Sequence, residues 1–296
     1  MRVVIAGGSG FLGTHLTEHL RVGGHDVTHL VRRAAGSSRE SRWDPYAGDV
    51  DQSLIDRSDV VVNLAGVNIA GNPHSAKHAR GVLESRVATT DVLARAVGRA
   101  ERPPAFLAGN GISWYGDHGA GALTEDSESR GDAFLTTVSR KWQAATEPAV
   151  DAGARVCVLR TAVVMDRSSS PLKELMRLFS LGLGARLGTG RQFFPIISLR
   201  DWVGAVSYLA ESRDVSGEFN LCCPETPTNA EFTQALAAAV KRPAFFVAPA
   251  AVLKAAAGRM APELLGSLNA RPAALERAGY DFHDVDVREV LAAALG

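Results

Sequence analysis

Three cysteines among 296 residues cannot make a disulfide framework: Cys222 and Cys223 are adjacent, and Cys157 falls in an apolar segment expected to be a buried strand. A reducing compartment is therefore the expected home, and the cytoplasm is the natural one. Neither sign of charge is in excess, since 32 Lys and Arg face 32 Asp and Glu. Nothing in that balance steers the chain toward nucleic acid or an anionic membrane, and neither is expected as a partner. No window reaches the ~18 uninterrupted apolar residues that a membrane helix needs. The chain opens on "RVVIAGG" with no basic stretch ahead of an apolar run, so no signal peptide is expected. Internal repeats are also missing.

What the chain does have is apolar content, 46% of it, enough to bury one large core or two intimately packed ones. Its first two-thirds alternate between two textures. Residues 2–7, 26–32, 59–66, 104–110 and 155–161 are short and rich in β-branched residues, as buried parallel strands are. Between them, 11–24, 81–100 and 133–153 carry helical spacing, with a break expected at Pro148. Strand and helix repeated in this way imply an α/β fold with a doubly wound parallel sheet. After residue 165 the texture changes. "DRSSSP" is a break, 181–195 is glycine-dense, 199–212 is helical, 217–223 reads as an edge strand, and the rest is mainly helical. The expected division is a first domain over 1–165 plus about 198–223, and a C-terminal lobe over 166–197 and 224–296.

The strongest motif is "VVIAGGSGFLG". Gly7, Gly10 and Gly13 stand at G-x-x-G-x-x-G spacing between an apolar strand and an amphipathic helix. Gly7 permits a tight turn, Gly10 lets backbone amides approach a pyrophosphate, and Gly13 lets the helix lie close to the sheet. The competing reading is an ordinary strand-to-helix turn; the setting favours a dinucleotide. Sites that prefer NAD place an acid at the end of the second strand. Here that end reads "THLVRRAAG", and the Arg32–Arg33 pair suits the 2′-phosphate of NADP(H), or else forms a solvated basic turn. At the end of the next strand, small residues around Leu64 and Ala65 allow an adenine or ribose to come close, and equally allow simple packing.

These residues, with "WYG" at 114–116 and "LRT" at 159–161, resemble the extended short-chain dehydrogenase/reductases of the NAD-dependent epimerase/dehydratase superfamily. The likeness is greatest to an atypical branch labelled only as epimerase family proteins, which ends in a domain of unassigned function. It spans essentially the whole chain, and 179–246 is its most distinctive part. The resemblance implies a Rossmann-like sheet with a smaller, mainly helical C-terminal substrate lobe. It also implies that Gly7, Ser9, Gly10, Phe11 and Leu12 line the pyrophosphate, that Arg32 meets the 2′-phosphate, and that Leu64 and Ala65 flank the adenosine. Arg86 would reach toward the cofactor and Val164 would lie near the nicotinamide. By analogy with extended relatives that pair through helices, a homodimer is allowed.

Departures from the branch gather at the active site. Pro73, His74 and Ser75 stand where relatives read "RWT", "NGISWYG" replaces "SAVGYYG", and Ser198 takes a histidine position. In the wider family a Tyr and a Lys four residues apart on one helix face perform proton transfer and hold the ribose. None of Tyr46, Tyr115, Tyr208 and Tyr280 is followed by such a Lys, and Ser139 and Gln143 occupy the matching slots. Tyr115, Ser113 and Asn110 are the substitute candidates, against readings as a packing tyrosine and turn caps. Lys141 reads as a surface lysine and Asp201 as a helix-start acid. No metal site is expected from His74 and His78, which lack a companion acid or Cys motif. The stretch 188–195 offers Arg191 as a charge clamp and Phe193 and Phe194 as an apolar wall of a substrate lid, or else a packed structural turn. Two functions follow. One is an NADP(H)-dependent oxidoreductase or epimerase-like enzyme acting on a small molecule. The other is a catalytically impaired protein that senses NADP(H).

Overall fold

The computed structural model describes residues 1–296, all of the chain. Seven strands form one sheet, in the order Glu40–Arg42, Asp26–Val31, Arg2–Ala6, Val60–Asn63, Ala105–Gly111, Val156–Thr161, Gly217–Leu221. Numbered along the chain this is 3-2-1-4-5-6-7, the Rossmann order with one added edge strand. The pairs from Glu40–Arg42 through Ala105–Gly111 are all parallel, with Val3 opposite Val27 on one side and Val60 on the other. The central strands Arg2–Ala6, Val60–Asn63 and Val156–Thr161 are buried along most of their length, so their β-branched runs are continuous rather than alternating. The three-residue edge strand Glu40–Arg42 was not anticipated: "ESR" has no apolar pattern, and its sheet position rests on pairing with Asp26–Val31 alone.

The fold divides into two compact units. The first holds 1–110, 138–159 and 203–218. Its core packs Val4, Ala6, Val61, Phe106 and Ala108 of the sheet against Leu93 and Val97 of the long helix Ala76–Arg99. That helix starts earlier than its apolar pattern suggests. Ser75 caps it by accepting from the His78 amide, which draws the polar turn 76–80 into the helix. The stretch 133–153 is two helices, Phe134–Ala144 and Glu147–Asp151, and Pro148 sits in the first turn of the second, where its missing N–H costs nothing.

The second unit holds 111–137, 160–202 and 219–296. Its core joins Met165, Phe179, Ile196, Phe232, Leu236 and Leu291. Three short parallel pairs, Val163–Met165 with Ile196–Ser198, Ala185–Leu187 with Phe246–Ala248, and Ala122–Leu123 with Asn269–Ala270, tie its loops together. Helix Asn229–Ala239 begins with a reciprocal capping box between Thr228 and Glu231. No helix in the chain is long and apolar enough to cross a membrane.

Candidate active site

The glycine turn is built as its spacing requires. Gly7 has φ +83°, and a β-carbon there would lie 2.7 Å from the Leu64 carbonyl carbon. The turn after the first strand is thereby pressed onto the end of the fourth, at the point where strand order reverses and α/β sheets bind ligands. A β-carbon on Gly13 would overlap the Gly7 carbonyl oxygen and come within 2.7 Å of Gly8 Cα. Helix Phe11–Val22 begins at Gly10 with no capping side chain, so the amides of Phe11, Leu12 and Gly13 have no acceptor from the helix. Ser9 and Gly10 face solvent, while Phe11 and Leu12 are half-buried. Unclaimed amides at the positive end of a helix dipole make an anion site.

Around this turn the expected residues separate. Arg33 does not act with Arg32: it forms a two-pronged pair with Glu40 at 2.8 and 2.6 Å. That bond, with the Gly36 amide, pulls the Glu40 carboxyl down to about 2. Arg32 makes no ion pair and is exposed, so it alone remains available to a phosphate. Leu64 and Ala65 are half-buried beside Gly7, and the Ala65 amide is fixed by Asn63 Oδ1 at 3.1 Å. Arg86 is buried without a carboxylate partner. Its guanidinium donates to the Val67 and Val82 carbonyls and lies 5.0 Å from the Trp142 ring centre. Burial lowers its pKa to about 10, the mark of a cation held where an anion would be welcome. Missed by sequence reading was His29, which lies against Gly8 and bonds Thr17 at 2.9 Å. Thr17 gives its own proton to the Gly13 carbonyl at 2.6 Å, so the His29 Nε2 must be the donor between them.

The helix that usually carries the Tyr and Lys is turned to structural use. Ser139 is buried, and its carbonyl accepts from Asn110 at 3.1 Å. Gln143 donates to Glu218 at 2.9 Å, Trp142 donates to Thr90 at 2.8 Å, and Lys141 is exposed. Asn110 thus braces the helix.

In the second unit the substitute tyrosine is locked away. Tyr115 is fully buried; its hydroxyl donates to Asn220 Oδ1 at 2.8 Å and accepts from Arg160 at 2.9 Å. Desolvation raises its pKa to about 12 despite the cation beside it. A hydroxyl with both sides engaged and no access cannot serve a substrate, so the packing role prevails over the catalytic one. Ser113 is placed differently. It sits on the turn Ile112–Tyr115, directly after the strand Ala105–Gly111, and its Oγ lies 2.6 Å from Glu263 Oε2. Both side chains line a cavity of about 500 Å³ together with Phe193, Phe194 and Pro195. Burial pushes the Glu263 carboxyl above its usual range, against the opposing pull of the Ser113 hydrogen bond.

Arg191 does not line this cavity, and the segment around it is pinned rather than loose. The Gly188 amide donates to Ala248, the Leu187 amide to Asn229 Oδ1, and Gln192 to the Leu187 and Leu264 carbonyls. The packed turn is what forms, and of its residues Phe193, Phe194 and Pro195 reach the cavity. Val164 is buried opposite Ile197 in a short parallel pair. Asp201 takes the amides of His283 and Asp284 at 2.9 and 2.8 Å, clamping the C-terminal segment. Glu263 went unseen because nothing marks a lone Glu in "MAPELLG", and its partner lies 150 residues upstream.

Comparison with known proteins places this arrangement. The family model described as NAD dependent epimerase/dehydratase family matches residues 3–222, and a model described as Domain of unknown function (DUF1731) matches 248–294. Epimerase family protein Mb2239 of Mycobacterium bovis is 40% identical over 290 residues, covering 98% of this chain and 96% of that protein. The crystal structure of human epimerase family protein SDR39U1 with NADPH superposes with a TM-score of 0.89 at 34% identity, covering 99% of each chain. A nucleoside-diphosphate sugar epimerase from Corynebacterium glutamicum gives a TM-score of 0.82 at 33% identity, over all of this chain and 58% of that one. The chain therefore belongs to the NAD-dependent epimerase/dehydratase family, in the branch of epimerase family proteins that ends in the domain of unknown function.

Proposed function

We propose that this protein is an NADP(H)-dependent oxidoreductase or epimerase-like enzyme acting on a small molecule. The reading rests on one observation above others: the uncapped helix start at Gly10, set against a turn that has no room for a β-carbon at Gly7 or Gly13. Those features fit a pyrophosphate, and the human relative, solved with NADPH, supports the same kind of ligand. Arg32, free where Arg33 is tied to Glu40, favours a phosphorylated ribose. Arg86, a buried cation with no acid beside it, would hold further negative charge. When bound, the nicotinamide supplies or accepts a hydride at its C4 position. The protein's own part is to grip, orient and desolvate. Three buried free cysteines suit a reducing, cytoplasmic setting.

Calorimetric titration with NADPH and NADH tests the reading. Arg32→Ala is expected to weaken NADPH by about 10- to 100-fold, the loss of a charge-assisted bond worth ~1.5–3 kcal/mol, and to leave NADH unchanged. Equal binding of the two dinucleotides by the wild type would refute the coenzyme preference. A second reading, a sensor that binds NADP(H) without turnover, draws on the buried Tyr115 hydroxyl and the Ser139–Gln143 slots. Turnover of any substrate by the purified protein would exclude it.

A further inference from the structure

The even balance of charge over the whole chain does not hold locally. In the second unit, across residues 173–186 and 241–259, the exposed cations are Lys173, Arg177, Lys241, Arg242, Lys254 and Arg259, and the one acid is Glu174. The same two stretches leave apolar side chains in water. Phe245 is 85% exposed and Leu181 67%, and Leu183, Phe246 and Val252 are each more than half exposed. Helix Ala250–Ala257 buries no residue, although Lys254 is its only polar one. The two stretches adjoin: Ala185 pairs with Phe246, and a β-carbon on Gly184 would lie 3.1 Å from that of Ala244. Exposed apolar residues are ordinary one at a time, but a group of them on neighbouring turns marks a surface that meets something. None of these side chains lines the cavity of this unit. A strained residue sets a cation beside them. Lys241 has φ +54° and is the one residue besides glycine with a positive φ. Lys241 and Arg242 close the helix Asn229–Ala239 by donating to the Ala238 and Ala237 carbonyls at 3.1 and 3.0 Å, an ending in which glycine is the ordinary first residue. A lysine there carries backbone strain, and what it adds over glycine is charge. The Arg242 guanidinium next to it reaches no acid, only the Lys241 carbonyl at 3.5 Å.

We propose that this face of the second unit docks on a membrane: Leu181, Leu183, Phe245 and Phe246 enter the interfacial layer of an anionic bilayer, and Lys241 and Arg242 meet its headgroups. Apolar side chains that can enter the interface, set among about 4–8 clustered Lys and Arg, are the ordinary means of holding a leaflet rich in phosphatidylserine. Docking of this kind reaches only headgroup depth and asks for no helix that crosses the bilayer. A second copy of the chain is a poorer occupant. A two-fold contact would lay the patch on itself, so cations would face cations with only Glu174 of each copy to offset them. An acidic protein answers the charge but not the shape. Phe245 and Leu181 stand out from their turns and wall no groove, and a fluid layer receives such side chains without the close fit that a protein interface requires. No residue of the glycine turn takes part, so the inference is independent of the cofactor reading.

Co-sedimentation of the full-length protein with lipid vesicles tests the docking face. Phosphatidylcholine vesicles that contain phosphatidylserine should carry the protein down at low salt, and phosphatidylcholine alone should not. Added salt should weaken the binding, because it screens the cations. Lys241→Gln combined with Arg242→Gln should lower the partition coefficient by about 25-fold, at about fivefold per cation. Phe245→Ser combined with Leu181→Ser should lower it by at least about tenfold. All four side chains are exposed, so both double variants should melt as the wild type does. Lys241→Gly separates recognition from folding. Glycine accepts the positive φ without strain, so the variant should melt close to wild type yet bind vesicles about fivefold more weakly. A lysine kept only for the helix end would leave vesicle binding unchanged. The proposal is overturned if anionic vesicles leave the protein in the supernatant, if neutral vesicles bind it equally well, or if the variants sediment like wild type. Without vesicle binding, a dimer in sedimentation velocity that Phe245→Ser splits would give the patch to a second copy. Retention on poly-glutamate, again without vesicle binding, would give it to an acidic protein. Either result overturns the lipid assignment.

Discussion

Replacing Tyr115 by phenylalanine removes one oxygen and nothing else from a sealed network. That oxygen accepts a proton from Arg160 and gives its own to Asn220, while the Arg160 guanidinium stacks 3.7 Å from the Trp114 ring centre. In the variant the stacking survives, but Asn220 Oδ1 is stranded without a donor. Arg160 Nη1 keeps the Glu125 carbonyl at 3.3 Å. An unsatisfied buried neutral group such as Asn220 Oδ1 costs ~1–3 kcal/mol. For a chain of this size, at ~2–4 °C per kcal/mol, the melting temperature should fall by about 2–12 °C. Thermal unfolding followed by circular dichroism measures this, with NADPH calorimetry on the same preparations at a temperature where both proteins are folded. NADPH affinity per folded molecule should stay close to wild type. A variant that melts like wild type would refute the argument, because the hydroxyl would then hold no buried network together.

Two further outcomes follow from geometry already described. Gly13→Ala should cost ~1–3 kcal/mol in chemical denaturation through forced overpacking against Gly7 and Gly8, and should weaken NADPH by displacing the turn whose carbonyl holds the Gly10 amide. Glu263→Gln should change the pH dependence of stability in one direction. The folded protein keeps a proton on Glu263 that the unfolded chain loses above about 4.5, so wild-type stability falls as pH rises through that window. The variant should melt with wild type below pH 4.5 and progressively above it as pH rises; melting curves that stay superimposed to neutral pH would contradict a raised carboxyl.

How much of this was legible beforehand depended on how local the cause was. Gly7, Gly10 and Gly13 announce their turn because a positive φ and a missing β-carbon are properties of a few consecutive residues. The interior strands were legible for a similar reason, since burial on both faces writes itself as an unbroken apolar run. Pairing across long separations was not. Arg32 and Arg33 look alike until Glu40, seven residues on from Arg33, claims one of them. Tyr115 reads as a packing residue before a catalyst, and what settles its place is Asn220, 105 residues later, which accepts its proton. The aromatic pair Phe193 and Phe194 lines a cavity, but the glycines beside it suggested mobility where bonds from the Gly188 and Leu187 amides to Ala248 and Asn229 impose order.

The path of the backbone through the two units has a bearing on inheritance. The chain passes from one to the other after residues 110, 137, 159, 202 and 218. Each unit is therefore assembled from three separate stretches, and no uninterrupted length of gene encodes either alone. Shuffling or fission at a single breakpoint would deliver fragments of both and the whole of neither. Innovation in such a protein is confined to point changes and loop edits.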